Sequence, residues 1–481
     1  MSQNVKSHEK TSQLPLLAFN TTWLKENLTS YLWREQDSPG EVAEVEILHL
    51  WESAKRVTVL YRTELKAQDG RTFQQGYVGY VVPEQRMADE HKSVVKKAWS
   101  QPPLGRAVTL VPEASLILLS HPNDRKMRLF TEADLRAWVS HHLRKFSQRF
   151  SVGSRWTVDE VKMETLRYVP DRRCTSLCRI SIGSDQGQTQ EVRFIAKQLN
   201  DEKKARSMFR NLRSLRRAWI EKRDRKNKRN HDILPIRFPM ALAWHPEKAV
   251  VFIEEMPGVN LMEALPGIDA ERIMSSAGRL LATFQKAQKR VRKKVTIKNE
   301  LAEVREAAQI IVEKVPHFRV RMRRLYKQLK VATNWQNKNL VALLHGTYRL
   351  NHILIDGDEL ALLDMDSLRM GHPAYDVANF ISSLFYLEAQ QRLTDVQRRE
   401  IVRHFLEGYA SATTLNVDPA AVLWFLASLL VNKQAKKYVS HLHDDCEDKV
   451  ERMLAIAERA LDIGAQMPAN MTLDALWKVL P

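Results

Sequence analysis

The chain has 481 residues, 44% of them hydrophobic, with 75 Lys and Arg against 57 Asp and Glu, a formal net charge of +18. That length allows roughly three domains, and the apolar content is enough for real cores. Three cysteines are too few for a disulfide framework, which sets aside the small secreted scaffolds and suits a reducing cytoplasm.

The first dozen residues, MSQNVKSHEKTS, are polar and lack the apolar run of a signal peptide, so export is not expected. The segment Trp51 to Arg62 aligns without gaps on Tyr168 to Arg179. The same register sets Gly70 opposite Gly187, Thr72 opposite Thr189 and Tyr80 opposite Lys197. Two readings stay open: a diverged internal duplication, or two amphipathic hairpins alike by chance.

In the second of these segments Tyr168 to Cys174 reads as a loop without glycine, so its backbone cannot approach an anion as a Gly-rich loop does. Arg172 and Arg173 are the residues that could substitute with charge. Val192 to Lys197 alternates as a strand ending in a lysine. Lys203 to Arg229 reads as one long basic helix and turn, with Phe209, Leu212, Leu215 and Trp219 at helical spacing on an apolar face. Further basic clusters lie at Lys286 to Lys298 and Arg319 to Lys330. Ala249 to Gly258 reads as a strand closed by a Pro-Gly turn.

The most informative stretch is Leu343 to Phe380. It opens with His345-Gly346-Thr347-Tyr348-Arg349-Leu350-Asn351-His352 and continues through a short hairpin to the apolar strand Leu362-Leu363-Asp364. It then reaches Gly371-His372-Pro373-Ala374-Tyr375-Asp376-Val377-Ala378. Beyond it, Ala420 to Val431 is apolar but too short to span a bilayer and follows Asp418-Pro419, a helix start, so it is expected to be a buried helix. His441, His443 and Cys446 have the residue types of a zinc site, but the neighbouring Asp444 and Asp445 favour a polar helix connection.

These motifs resemble the aminoglycoside phosphotransferase and choline kinase family, whose fold is related to that of protein kinases. The resemblance covers about residues 160 to 460 and is strongest at Leu343 to Phe380. It implies an α+β, two-lobed protein kinase-like fold, with a small β-rich N-lobe over 151–260 and a mostly helical C-lobe over 261–481. An extra α/β N-terminal domain over 1–150 precedes them; if duplicated, it is a degenerate N-lobe without the lysine and should not bind nucleotide. The resemblance assigns Lys197 to the nucleotide phosphates, with Arg172 and Arg173 near them, and the backbone around Glu254 and Met256 to an adenine edge. Asp364 becomes the principal metal ligand, and Asp376 a structural support that bonds back to the catalytic loop. ATP with Mg²⁺ or Mn²⁺ are the implied cofactors.

Two central residues depart from the family pattern, which reads HGDxxxxN. Thr347 stands where the catalytic Asp is expected, and threonine is no carboxylate base. His352 stands where a metal-binding Asn is expected, and imidazole is a poor ligand for hard Mg²⁺. A slip that used Asn351 instead would turn it to the other face. His345, Arg349 or His352 would then take over part of the loop's work. An ATP-dependent phosphotransferase with an atypical loop and a catalytically dead pseudokinase that binds or scaffolds a partner both remain open. The positive charge, concentrated at 203–229, calls for an anionic acceptor, an acidic protein, a nucleic acid or an anionic membrane surface. No nucleic-acid signature beyond charge supports the third, and no transmembrane segment is expected.

Overall fold

The computed structural model describes residues 16–33, 40–53, 56–146, 156–226, 236–267, 269–287, 291–335, 337–440, 445–468 and 470–481. Contacts divide the chain into two units. One holds residues 1–209 and 241–255, the other 210–240 and 256–481.

The first unit carries two five-stranded antiparallel sheets. The first is built from β1 (Glu41–Ser53), β2 (Arg56–Lys66), β3 (Thr72–Val81), β4 (Val108–Val111) and β5 (Leu116–Ser120), in the order β1-β2-β3-β5-β4. Helix α1 (Thr21–Leu32) sends Leu24, Leu28 and Leu32 into a core with Val45, Val59, Tyr61 and Leu118. Its start is capped by the Asn20 side chain, which accepts from the Trp23 N–H. On the opposite face α2 (Glu84–Val95) buries Met87 and Val94 against Leu60, Val78, Tyr80 and Ile117. A sheet covered on both faces needs continuous apolar strands, and β5, Leu-Ile-Leu-Leu-Ser, is buried along its whole length.

After α3 (Glu132–Phe146), the second sheet uses β6 (Trp156–Val169), β7 (Arg173–Ser184) and β8 (Thr189–Leu199). Helix α4 (Glu202–Lys226) follows. After the two-residue β9 (Ile236–Arg237), β10 (Ala241–His245) and β11 (Val250–Glu254) complete the sheet in the order β6-β7-β8-β11-β10. Leu135, Trp138 and Val139 of α3 pack on Cys178, Ile180, Phe194 and Phe252.

The two sheets share strand order and helix position, and β2-β3-β5 match β7-β8-β11 in register, while the outer pair differs by one residue, with Trp51 opposite Thr58 but Tyr168 opposite Cys174. Thr58 pairs with Tyr80 as Thr175 pairs with Lys197, and Tyr80 faces Ile117 as Lys197 faces Val251. The β2–β3 and β7–β8 turns each have a glycine at positive φ, Gly70 at +83° and Gly187 at +74°. The last hairpins also agree, turning through Pro112-Glu113-Ala114-Ser115 and Pro246-Glu247-Lys248-Ala249, with Ser115 and Ala249 both left-handed at φ 46° and 52°.

The second unit is mainly helical, with a small sheet of order β12-β14-β15-β9 and a two-stranded ribbon β13-β16. Its strands are β12 (Val259–Asn260), β13 (Ala342–Leu344), β14 (Ile353–Asp356), β15 (Glu359–Leu362) and β16 (Arg369–Gly371). The helices are α5 (Leu261–Ala264), α6 (Ala270–Gln285), α7 (Ile297–Lys314), α8 (Arg319–Val331), α9 (Ala374–Ala389), α10 (Asp395–Ala412), α11 (Pro419–Leu429), α12 (Lys436–Ser440) and α13 (Cys446–Ala465). Side chains of Asp269, Thr296, Thr394 and Asp418 cap four of these, each accepting a backbone N–H of the first turn. Helix α11 is the expected buried helix begun by Asp418-Pro419, and it runs into a π-helical segment, Leu430–Ala435. Among the described residues, no helix is long and apolar enough to cross a membrane.

Candidate functional site

Strand β13 delivers the buried His345, and the chain then reverses at Gly346, whose φ is +83°. A Cβ there would lie 2.4 Å from the Ser367 carbonyl oxygen, so no side chain fits. The backbone N–H groups of His345 and Gly346 both donate to the Asp376 carboxylate, at 2.7 and 2.8 Å, from the first turn of α9. Burial pushes the Asp376 carboxyl up, while these two backbone bonds and the Lys433 ammonium pull the other way.

The Thr347 position is framed by two groups that the sequence reading passed over. Asn379, one turn beyond Asp376 on the same face of α9, donates to the Tyr348 carbonyl at 2.8 Å. Lys433, from the π-helical segment, donates to the Gly346 carbonyl at 3.3 Å and to the Asn379 side-chain oxygen at 2.8 Å. Thus the carbonyls on both sides of Thr347 are held from outside the loop. Burial brings the Lys433 ammonium down to about 8, helped by Arg369 and opposed by Glu300 and Asp376. Asn379 could have been found from its spacing to Asp376; Lys433 follows an unbroken apolar helix and carries no local signal.

His345 donates through Nε2 to the Leu363 carbonyl at 2.8 Å, which leaves Nδ1 as an acceptor 3.4 Å from the Thr347 hydroxyl. Burial lowers its pKa, so the ring is neutral near pH 7. The gapless register brings His352, not Asn351, into the interior. His352 is buried with Nε2 3.3 Å from the Asp364 carboxylate, whereas Asn351 is exposed and its carbonyl accepts from Asn260. Arg349 donates to that same Nε2 at 2.8 and 3.0 Å. Burial, and then the Arg349 charge, hold His352 well below the usual imidazole range, with Asp364 opposing.

A metal can therefore be tested against these residues. Asp364, partly buried and left-handed at φ 60° where β15 ends, offers the hard carboxylate oxygen that Mg²⁺ takes. His352 does not fit as its companion, because the Arg349 guanidinium occupies the lone pair of Nε2 and adds a positive charge. Among the described residues no group of three or more His, Cys, Asp or Glu could hold a metal by themselves. His441 and His443 lie outside the described residues.

In the other unit, Lys197 is buried at 8% exposure in β8, between Thr175 and Val251. Arg172 is exposed and Arg173 half-buried at the β6–β7 turn. Glu254 closes β11, and Glu255 takes a forked bond from Arg193 at 2.7 and 2.8 Å. Met256 follows at the start of the second unit's main segment. Glu202, at the start of α4, is engaged by Arg206 at 2.8 Å.

Residues 229–415 match the model of the phosphotransferase enzyme family. It is the family that the motifs at Leu343 to Phe380 resemble. No curated protein matches the chain. Among solved structures, a putative aminoglycoside phosphotransferase from Ralstonia eutropha JMP134 is 15% identical, with a TM-score of 0.46, over 70% of this chain and 99% of that one. Choline kinase from Cryptosporidium parvum Iowa II is 14% identical over 64% of this chain and 92% of that one, with a TM-score of 0.43. A choline/ethanolamine kinase family protein from Mesorhizobium loti is 10% identical over 73% and 99%, with a TM-score of 0.40.

Proposed function

We propose that this protein, whose residues 229–415 match the phosphotransferase enzyme family, binds ATP with a divalent cation and transfers phosphate to an acceptor through an atypical catalytic loop. The observation that carries the reading is the arrangement around Asp364: a half-buried carboxylate beside a His-Gly loop whose backbone is fixed by Asp376. Lys197 would hold the α- and β-phosphates, with Arg172 and Arg173 adding charge and the backbone at Glu254 and Met256 meeting adenine. Asp364 would hold Mg²⁺ or Mn²⁺, which when bound neutralises phosphate charge. Phosphoryl transfer is mostly positioning and charge neutralisation, so a loop without a carboxylate base retains a route to catalysis. The net charge of +18 supports an anionic acceptor or partner, and the three free cysteines support a cytoplasmic setting.

One observation favours the second reading, a pseudokinase that scaffolds a partner. Arg349 lies on His352, where the family places a metal-binding Asn. Calorimetric titration with ATP, with and without Mg²⁺ or Mn²⁺, tests the nucleotide reading. Metal-dependent binding is expected in the parent and lost in Lys197→Ala and in Asp364→Ala; either variant binding like the parent would defeat the assignment. The double change Thr347→Asp with His352→Asn separates the two readings. Raised ATP turnover marks a kinase weakened by divergence, and unchanged or lower turnover marks a rebuilt site or a scaffold.

A further inference from the structure

The β6–β7 turn, which the ATP reading lays over the phosphates, is bound tightly by residues of the first sheet and its flanking segments within the same unit. Its tip is Asp171, buried and left-handed at φ 62°, a conformation that a non-glycine residue keeps only where its surroundings impose it. The Asp171 carboxylate receives Arg56 at 2.5 Å and Arg125 at 3.3 Å, and the Tyr80 hydroxyl lies 3.4 Å away. Both guanidiniums also sit over the Tyr80 ring, at 5.0 and 5.6 Å from its centre. Glu90 of α2 holds Arg125 from the other side at 3.1 Å. The main chain is held as well. Asp124, in the segment after β5, accepts from the Asp171 N–H at 2.8 Å and the Tyr168 hydroxyl at 2.6 Å, and Asn200 donates to the Asp171 carbonyl at 2.7 Å. The side chains of Arg56 and Asp171 are 14% and 10% exposed, so this ion pair is little screened by water.

Shared register gives the contact its meaning. Tyr80 occupies in the first sheet the place that Lys197 occupies in the second, and equal register puts both on the equivalent face. We propose that residues 41–120 are a second copy of the unit at 156–254 that has become a socket. Where one copy presents a lysine, the other presents Tyr80 with Arg56, joined by Arg125 from the segment just after it, and the anion they take is the Asp171 carboxylate of the sister's turn. Seating Asp171 fixes the backbone that carries Arg172 and Arg173, so Asp171, Arg56 and Arg125 are positioning residues for the phosphate loop. The nucleotide half of this inference rests on the ATP reading above; the socket half does not.

The test uses the full chain and two readouts. Hydrogen exchange followed by mass spectrometry should show that Arg56→Ala speeds exchange across Tyr168 to Arg172 while the β7–β8 pairing keeps its protection. Titration with Mg-ATP should show affinity reduced by about tenfold or more, the scale of one charge-assisted hydrogen bond. Arg56→Lys, which keeps the charge and loses the fork, should fall between parent and Arg56→Ala in both readouts. Unchanged exchange at the turn overturns the socket. Faster exchange with unchanged Mg-ATP affinity overturns the positioning role. A general rise in exchange through both sheets, in Arg56→Lys as well as Arg56→Ala, reduces the arginine to core support and also overturns it. If the parent does not bind Mg-ATP, the ATP reading fails, and the socket is judged by exchange alone.

Discussion

The two sheets of the first unit keep one backbone and differ in what it presents. Strand order, the pairing register of the inner strands and the left-handed residue of the last hairpin agree, while Tyr80 replaces Lys197. Register is a property of the whole ladder, because a shift of one residue exposes every buried side chain of a strand. A single inward side chain carries no such constraint. Architecture therefore persists after the chemistry at one position has changed.

The comparison breaks most severely at Asp124, which ties the segment after the first sheet to the β6–β7 turn of the second sheet. Its carboxylate accepts from the backbone N–H groups of Lys126, Met127 and Asp171 and from the Tyr168 hydroxyl. Asp124→Ala leaves several buried donors without an acceptor, and we expect a loss of about 3–5 kcal/mol, measured by chemical denaturation. A smaller loss would mean that the two sheets hold together without this residue. Tyr80→Lys restores the lysine of the other sheet but puts an ammonium beneath two guanidiniums in a buried place. It should destabilise by about 2–4 kcal/mol and give no ATP binding in a Lys197→Ala background. Binding there would show that the first sheet retains a nucleotide site and would remove the asymmetry. The smallest effect sharpens the likeness instead: Ser115→Gly and Ala249→Gly each relieve a left-handed residue and should stabilise by about 0.5–1 kcal/mol. Equal gains in the two hairpins are expected, and clearly unequal thermal shifts would set them apart.

The sequence made local features legible. Val192 to Lys197 alternates and is a strand, Asp418-Pro419 starts a buried helix, and the match of Trp51 to Arg62 on Tyr168 to Arg179 carries the register that β2–β3 shares with β7–β8, though not that of the outer strands. These follow from periodicity and turn chemistry, which act over a few residues. What stayed hidden depends on residues far apart in the chain. Nothing beside Asp171 announces Arg56, and nothing beside Thr347 announces Lys433. The Arg349 guanidinium on His352 was also unreadable, because a basic residue near a histidine gives no direction for either side chain. The basic stretch at 203–229 read correctly as a helix through Lys226, yet its side chains from 216 onward lie outside the described residues.

The frame around Thr347 has a consequence for how such a loop evolves. Asp376, Asn379 and Lys433 grip the peptide groups of residues 345, 346 and 348. The side chain at 347 contributes little to its own placement. Selection can thus exchange that side chain without first rebuilding the loop, and a lineage can lose, regain or replace its reactive group by drift at one position while the fold that would use it stays intact.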